Sequence, residues 1–168
     1  SEDIEVVLSA DDPLGLTQAQ VQQNPRQAQP VAVTFNTRRS LDNLQGGLIW
    51  DSALTAQDSL RVLGYVGSRS NEQFLAVPLD AQLAATSSGG VSSLDRQIAG
   101  GGLRWTRRQT LFDGPLTLTA GADYDGSTEA RQGFINNLGV QGALKRDEDN
   151  TVDNIGAYVQ AEEPVKRP

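Results

Sequence analysis

The sequence predicts a mainly β protein: an antiparallel meander of about five to six long strands, part of a β-barrel or a small closed sheet, with one short N-terminal helix. Three observations carry this. Several segments alternate apolar and polar residues with period 2. Stretches rich in Gly, Ser and Asn separate them, and the chain holds 17 glycines. No apolar run approaches the roughly 20 residues that a membrane helix needs.

Taken in order, Ile4-Glu5-Val6-Val7-Leu8 reads as a short strand and Ser9-Ala10-Asp11-Asp12-Pro13 as a turn. Thr17-Gln18-Ala19-Gln20 fits a helix capping box, with Thr17 as N-cap and Gln20 three residues on. Asn24-Pro25 stops that helix early. Pro30 then leads into Val31-Ala32-Val33-Thr34-Phe35, which reads as extended.

From residue 41 five strand-like segments follow, over 40–52, 58–76, 95–110, 115–131 and 151–161. The fourth is the cleanest. Leu116, Leu118, Ala120, Ala122 and Tyr124 share one face, and Thr117, Thr119, Gly121, Asp123 and Asp125 the other. The fifth sets Ile155, Ala157 and Val159 against Asn154, Gly156, Tyr158 and Gln160. The second opposes Leu60, Val62 and Val66 to Arg61, Leu63, Tyr65 and Arg69. Residues 54–57 and Phe112-Asp113-Gly114-Pro115 are short turns, whereas 77–94 and 132–150 read as long polar loops. Short turns at one end and long loops at the other suit a membrane barrel. The chain thus divides into a strand, loop and short helix over 1–40, a barrel-like segment over 41–161, and a charged tail over 162–168.

Charge and composition narrow the function. A net charge of −7 and a pI near 4.5 argue against a nucleic-acid partner, which needs clustered Lys and Arg. The chain has no Cys, His or Met, so the usual zinc, copper and haem ligand sets and histidine-based catalysis are missing. No cofactor and no enzyme activity are expected. Ser1-Glu2-Asp3 carries charge of the wrong sign for the start of a signal peptide, so the chain reads as mature, processed or internal.

Local motifs point the same way. Asp147, Asp149 and Asp153 offer alternating oxygen ligands for a loop-bound cation. Val152 and Tyr158 stand where an EF-hand loop requires Gly and Glu, which excludes that loop type. Asp123 and Asp125 lie on one strand face rather than across a cleft, a poor match to a glycosidase pair. Gly100-Gly101-Gly102 lacks the Lys-Ser/Thr and helix of a phosphate loop and reads as a bulge or bend. Arg69 and Arg131, at the long-loop ends of their strands, are the candidate ligand-binding residues.

A set of ordered motifs adds a family likeness. Asp12-Pro13-Leu14-Gly15-Leu16-Thr17, Asn24-Pro25-Arg26-Gln27, Phe35-Asn36-Thr37-Arg38-Arg39 and Gln45-Gly46-Gly47-Leu48-Ile49-Trp50 occur in succession. Gly89-Gly90-Val91, Leu94-Asp95-Arg96, Arg104-Trp105-Thr106, Pro115 through Gly121, Tyr124-Asp125 and Asn154 through Gln160 continue it. Over roughly residues 11–161 the chain resembles the barrel of TonB-dependent outer-membrane receptors, siderophore-receptor-like, without the plug domain. The resemblance implies a Gram-negative outer-membrane location and lipid contact. It also implies a parent protein that imports a scarce small-molecule nutrient such as a ferric siderophore. TonB would be engaged only through parts that this chain lacks, and the piece alone would not transport.

The competing expectation is a soluble β-rich binding or structural module, with Trp50 and Trp105 buried together in a closed apolar core. In either case a piece of sheet leaves two unpaired edges, which favours edge-to-edge self-association.

Overall fold

The computed structural model describes residues 4–111 and 114–163. Its main body is one antiparallel sheet of six strands in sequence order. The strands are β1 (Ile4–Asp11), β2 (Arg38–Ala53), β3 (Asp58–Phe74), β4 (Val91–Leu111), β5 (Gly114–Asn137) and β6 (Val140–Glu162). Neighbours in sequence are neighbours in space, and the sheet is open. The expected meander is therefore present. β1 pairs with β2 from Ile4↔Gln45 to Asp11↔Arg38, so the N-terminal strand belongs to the same sheet.

Strands of 16–24 residues are several times the usual length of about 5–6. Among the described residues no second layer packs across them, and the short helix at Leu79–Leu83 meets the sheet at the end of β5. The chain exposes 11699 Å², against about 8000 Å² for a compact globule of 18.0 kDa. The excess is the cost of leaving both faces of a long sheet uncovered.

The connections sit at two ends. Leu54 to Gln57 form the hairpin between β2 and β3, where the Asp58 carboxylate accepts from the Thr55 hydroxyl. This is the hairpin end; of the expected turn at Phe112-Asp113-Gly114-Pro115, the first two residues lie outside those described and Gly114 and Pro115 begin β5. At the opposite, loop end lie residues 12–37, residues 75–90 and the β5–β6 turn. Three short helices sit there: α1 (Gln18–Gln23), α2 (Pro30–Phe35) and α3 (Leu79–Leu83). The expected capping box of α1 is present, with Thr17 and Gln20 bonded reciprocally, and its C-cap is Asn24.

Three expectations are corrected. Val31–Phe35 is helical rather than extended: Pro30 occupies the first helical turn, where its missing N–H costs nothing, and Asn36 ends α2 in a left-handed conformation. Residues 132–150 are not a loop. They are the ends of β5 and β6, joined by a tight turn at Leu138-Gly139. Two register shifts, between Gly133 and Phe134 and between Phe134 and Asn136, break the alternation there and hide the strands. Gly100-Gly101-Gly102 forms no bulge, for its pairing with Tyr65, Gly64 and Leu63 runs on without interruption.

Although Leu116 is buried near the hairpin end, what core exists gathers mainly at the loop end. Ala32, Phe35, Phe74 and Val91 are buried there, and the Arg38 guanidinium lies 3.4 Å from the Phe74 ring centroid. At its centre are two fully buried amides, Gln82 and Asn136. Gln82 Oε1 accepts from the Asn136 N–H at 2.6 Å, and Gln82 Nε2 donates to the Asn136 carbonyl at 3.2 Å and to the Val77 carbonyl at 2.6 Å. The side chain of α3 thereby occupies the place of a ladder partner just beyond the start of β4. Asn136 Nδ2 donates to the Phe35 and Leu75 carbonyls at 2.9 and 3.0 Å, and its Oδ1 accepts from the Gly139 N–H at 2.7 Å. Every hydrogen-bonding group of both amides is used.

Asn136→Ala strands two buried carbonyls and one N–H. The expected loss is on the order of 3 kcal/mol in equilibrium urea unfolding followed by tryptophan fluorescence, whereas Gln97→Ala, at an exposed side chain, changes little. Leu138 sits at φ +51° with an exposed side chain in a turn whose two central residues both have positive φ. Leu138→Asn should therefore stabilise the fold by about 1 kcal/mol in the same experiment.

Candidate functional site

Residues directly opposite one another in a ladder project to the same face, so the register sorts every strand residue of β2–β6 into one of two sets. The first face carries Leu48, Trp50, Val62, Leu103, Ala122, Ala157 and Ile155. The second carries Arg61, Tyr65, Arg69, Arg96, Arg104, Asp123, Asp125 and Glu129. The alternation read in the second, fourth and fifth segments is reproduced. Leu60, Leu116 and Val159 fall on the first face, and Arg61, Asp123 and Tyr158 on the second.

The first face is not apolar throughout. Its apolar residues form a band: Leu44 to Trp50 on β2, Leu60 to Val66 on β3, Ala99 to Trp105 on β4, Leu116 to Tyr124 on β5 and Ile155 to Ala161 on β6. Only Gly interrupts them on this face. Toward the loop end the same face turns to Asp42, Ser70, Glu72, Asp95, Thr128 and Asp149. The band is open to its surroundings: Trp50 is 52% exposed, Ile155 80% and Val159 83%. Trp50 and Trp105 lie in adjacent rows two strands apart, on one face but not buried together. Trp105 is far from the end of its own strand only because β4 runs past β2, and its Nε1 donates to Asp58 at 3.1 Å.

The second face is mainly polar, although Leu41, Ile49, Leu63, Leu94, Ile98 and Val152 lie on it, and it holds most of the arginines. Arg39, Arg61, Arg69, Arg96, Arg104, Arg108 and Arg131 all lie on it, while Arg38 and Arg107 lie on the first face outside the band. Arg61 pairs with Asp51 at 3.3 Å and Arg96 with Glu129. Arg69 is directly opposite Arg96, and Arg131 lies one row pair nearer the loop end on β5. The two candidate ligand residues thus share a face and flank one ion-paired arginine. Among the described residues neither forms an ion pair of its own.

Asp147, Asp149 and Asp153 do not lie on a loop. They alternate along β6 on the first face, and Asp153 accepts from the Tyr124 hydroxyl at 2.6 Å while Asp147 accepts from Gln132 at 3.1 Å. An extended strand holds such side chains about 7 Å apart and cannot wrap them around one ion. Among the described residues no group of three or more carboxylates is arranged to hold a metal.

Two glycines of the polar face, Gly100 and Gly121, have a common explanation. Tyr65 lies across Gly100 on the neighbouring strand and hydrogen-bonds Asp125 one strand further on. Tyr158 lies across Gly121, where an added Cβ would stand 2.5 Å from the ring. Each glycine leaves room for a ring to lie flat on the sheet. Gly121→Ala is expected to destabilise the chain by about 1–3 kcal/mol. Adding Tyr158→Ser should restore most of that loss in a double-mutant cycle, because the Tyr158 ring supplies the atoms nearest the new methyl group.

Gln82 and Asn136 escaped the sequence reading, since nothing about an isolated Gln or Asn marks it as buried. No model of a known protein family matches the sequence.

Proposed function

We propose that this chain is a stretch of the wall of an outer-membrane β-barrel in a Gram-negative bacterium. Its banded face meets lipid and its arginine-bearing face meets the lumen. The observation that carries this reading is the band itself. Each strand crosses it with seven to nine residues of alternating apolar character, about 20–27 Å of strand, close to the apolar height of such barrels. The opposite face holds charges that a packed soluble interior would exclude unless each were paired. A soluble module would instead bury its tryptophans together.

The long connections over 12–37 and 75–90 lie at the end opposite the 54–57 hairpin, which supports an orientation with the loop end outside. The ordered motifs point to a parent of the TonB-dependent receptor kind. It would import a small nutrient such as a ferric siderophore, with Arg69 and Arg131 on the route of an anionic ligand. TonB would act on parts of the parent other than this stretch, which by itself would line the path without driving transport. Pairing of the sheet's edges with further strands completes the wall, or with a second copy when the chain is alone.

Folding the full chain in the presence of vesicles that contain brominated phosphatidylcholine tests the reading. Trp50 and Trp105 are the chain's only tryptophans, and their fluorescence is expected to be quenched. Leu103→Arg, at the middle of the band, is expected to lower insertion stability by about 2–4 kcal/mol. A monodisperse monomer in plain buffer, with cooperative melting and no quenching by the vesicles, overturns it.

A further inference from the structure

The band does not run square to the strands. On β2 it begins at Leu44, in the row that passes through Ser68 of β3, and ends at Trp50, in the row through Val62. On β6 it begins at Ile155, whose row passes through Tyr124, Gly101 and Gly64. It ends there at Ala161, whose row passes through Leu118, Arg107 and Asp58. Both limits therefore fall by four residues toward the hairpin end over the four steps from β2 to β6. The descent is stepped, for β3 and β4 share both limits and β5 runs on to Leu116, beyond the row of Ala161, but from β2 to β6 it averages one residue per strand, a rise of about 3.4 Å for every 4.8 Å of lateral spacing and a slope of about 35°.

From this slope we infer that the bilayer is the surface the first face fits, and that it crosses the sheet obliquely. The strands stand about 35° from the membrane normal, leaning so that β2 is immersed nearer its loop end and β6 nearer its hairpin end. This rests on the barrel-wall reading, and it assigns the two membrane boundaries residue by residue. Leu44 and Thr151 occupy one ladder row, yet Leu44 belongs inside the hydrocarbon and Thr151 outside it. Ser52 and Val159 occupy another, and there the β6 residue is the immersed one. The longer polar remainder of the sheet then projects at the loop end. β5 runs 13 residues past Tyr124, about 44 Å of strand.

The chain has no cysteine, so a single introduced thiol carries an environment-sensitive fluorophore without ambiguity. Leu44→Cys, Thr151→Cys, Ser52→Cys, Val159→Cys and, as the mid-band reference, Leu103→Cys are labelled in the full chain and folded into dilauroyl phosphatidylcholine vesicles. Blue-shifted emission is expected at 44, 159 and 103, with aqueous emission at 151 and 52. If 103 shifts but the two members of each row behave alike, or shift in the opposite sense, the oblique crossing is wrong while the membrane reading stands. If 103 also keeps its aqueous emission, the membrane reading fails and takes the slope with it.

Discussion

Main-chain pairing between neighbouring strands bears the whole middle of this structure, because a single sheet has no second layer to press against. Every ladder from β1 to β6 joins strands adjacent in sequence. Between the two ends the side chains contribute cross-strand contacts, rings over glycines and scattered ion pairs, but no core. Surface ion pairs such as Arg61–Asp51 and Arg146–Glu148 are worth little in water. The register is what converts pairing into chemistry: it lines up the apolar residues of one face into a continuous band and sets most of the arginines on the other surface. A one-residue slip of any strand would send its aliphatic residues among the arginines.

The loop end is built on a different principle. There the sheet is closed off by short helices and by the two buried amides. Gln82 continues the ladder where β4 has not yet begun, and Asn136 ties α2, the exit of β3 and the β5–β6 turn to one point. Hydrophobic burial at this end is modest, resting on Ala32, Phe35, Phe74 and Val91. Directional bonds, all satisfied, set the geometry that so small a core leaves loose.

The sequence made the strands legible wherever alternation was unbroken, as in Leu116 to Tyr124 and Ile155 to Val159. The capping box at Thr17 was equally plain, because it depends on residues three apart. Residues 132–150 were misread because extra residues in β6 disturb the period-2 pattern, and because Asn and Gly suggest loops. The Pro30 helix was misread because β-branched residues favour strands, while the deciding factor was a proline pre-set for a first helical turn. At the candidate site, the faces of Arg69 and Arg131 could be read from parity alone. Their shared neighbourhood with Arg96 required the inter-strand register, which no local pattern contains. The cation candidate at Asp147, Asp149 and Asp153 fell for the same reason as the loop that was to carry it.

The Asn136 junction also bears on how the chain reaches this state. Strand pairs joined through sequence neighbours close over short spans, so the sheet can grow hairpin by hairpin. Asn136 instead joins residues 54, 61 and 101 positions away, at Gln82, Leu75 and Phe35. Such distant partners meet only after the intervening strands have paired, and they meet only if each has paired in register. The junction therefore acts as a late checkpoint on assembly: a chain that zips up one residue out of step arrives with its final latch unable to engage.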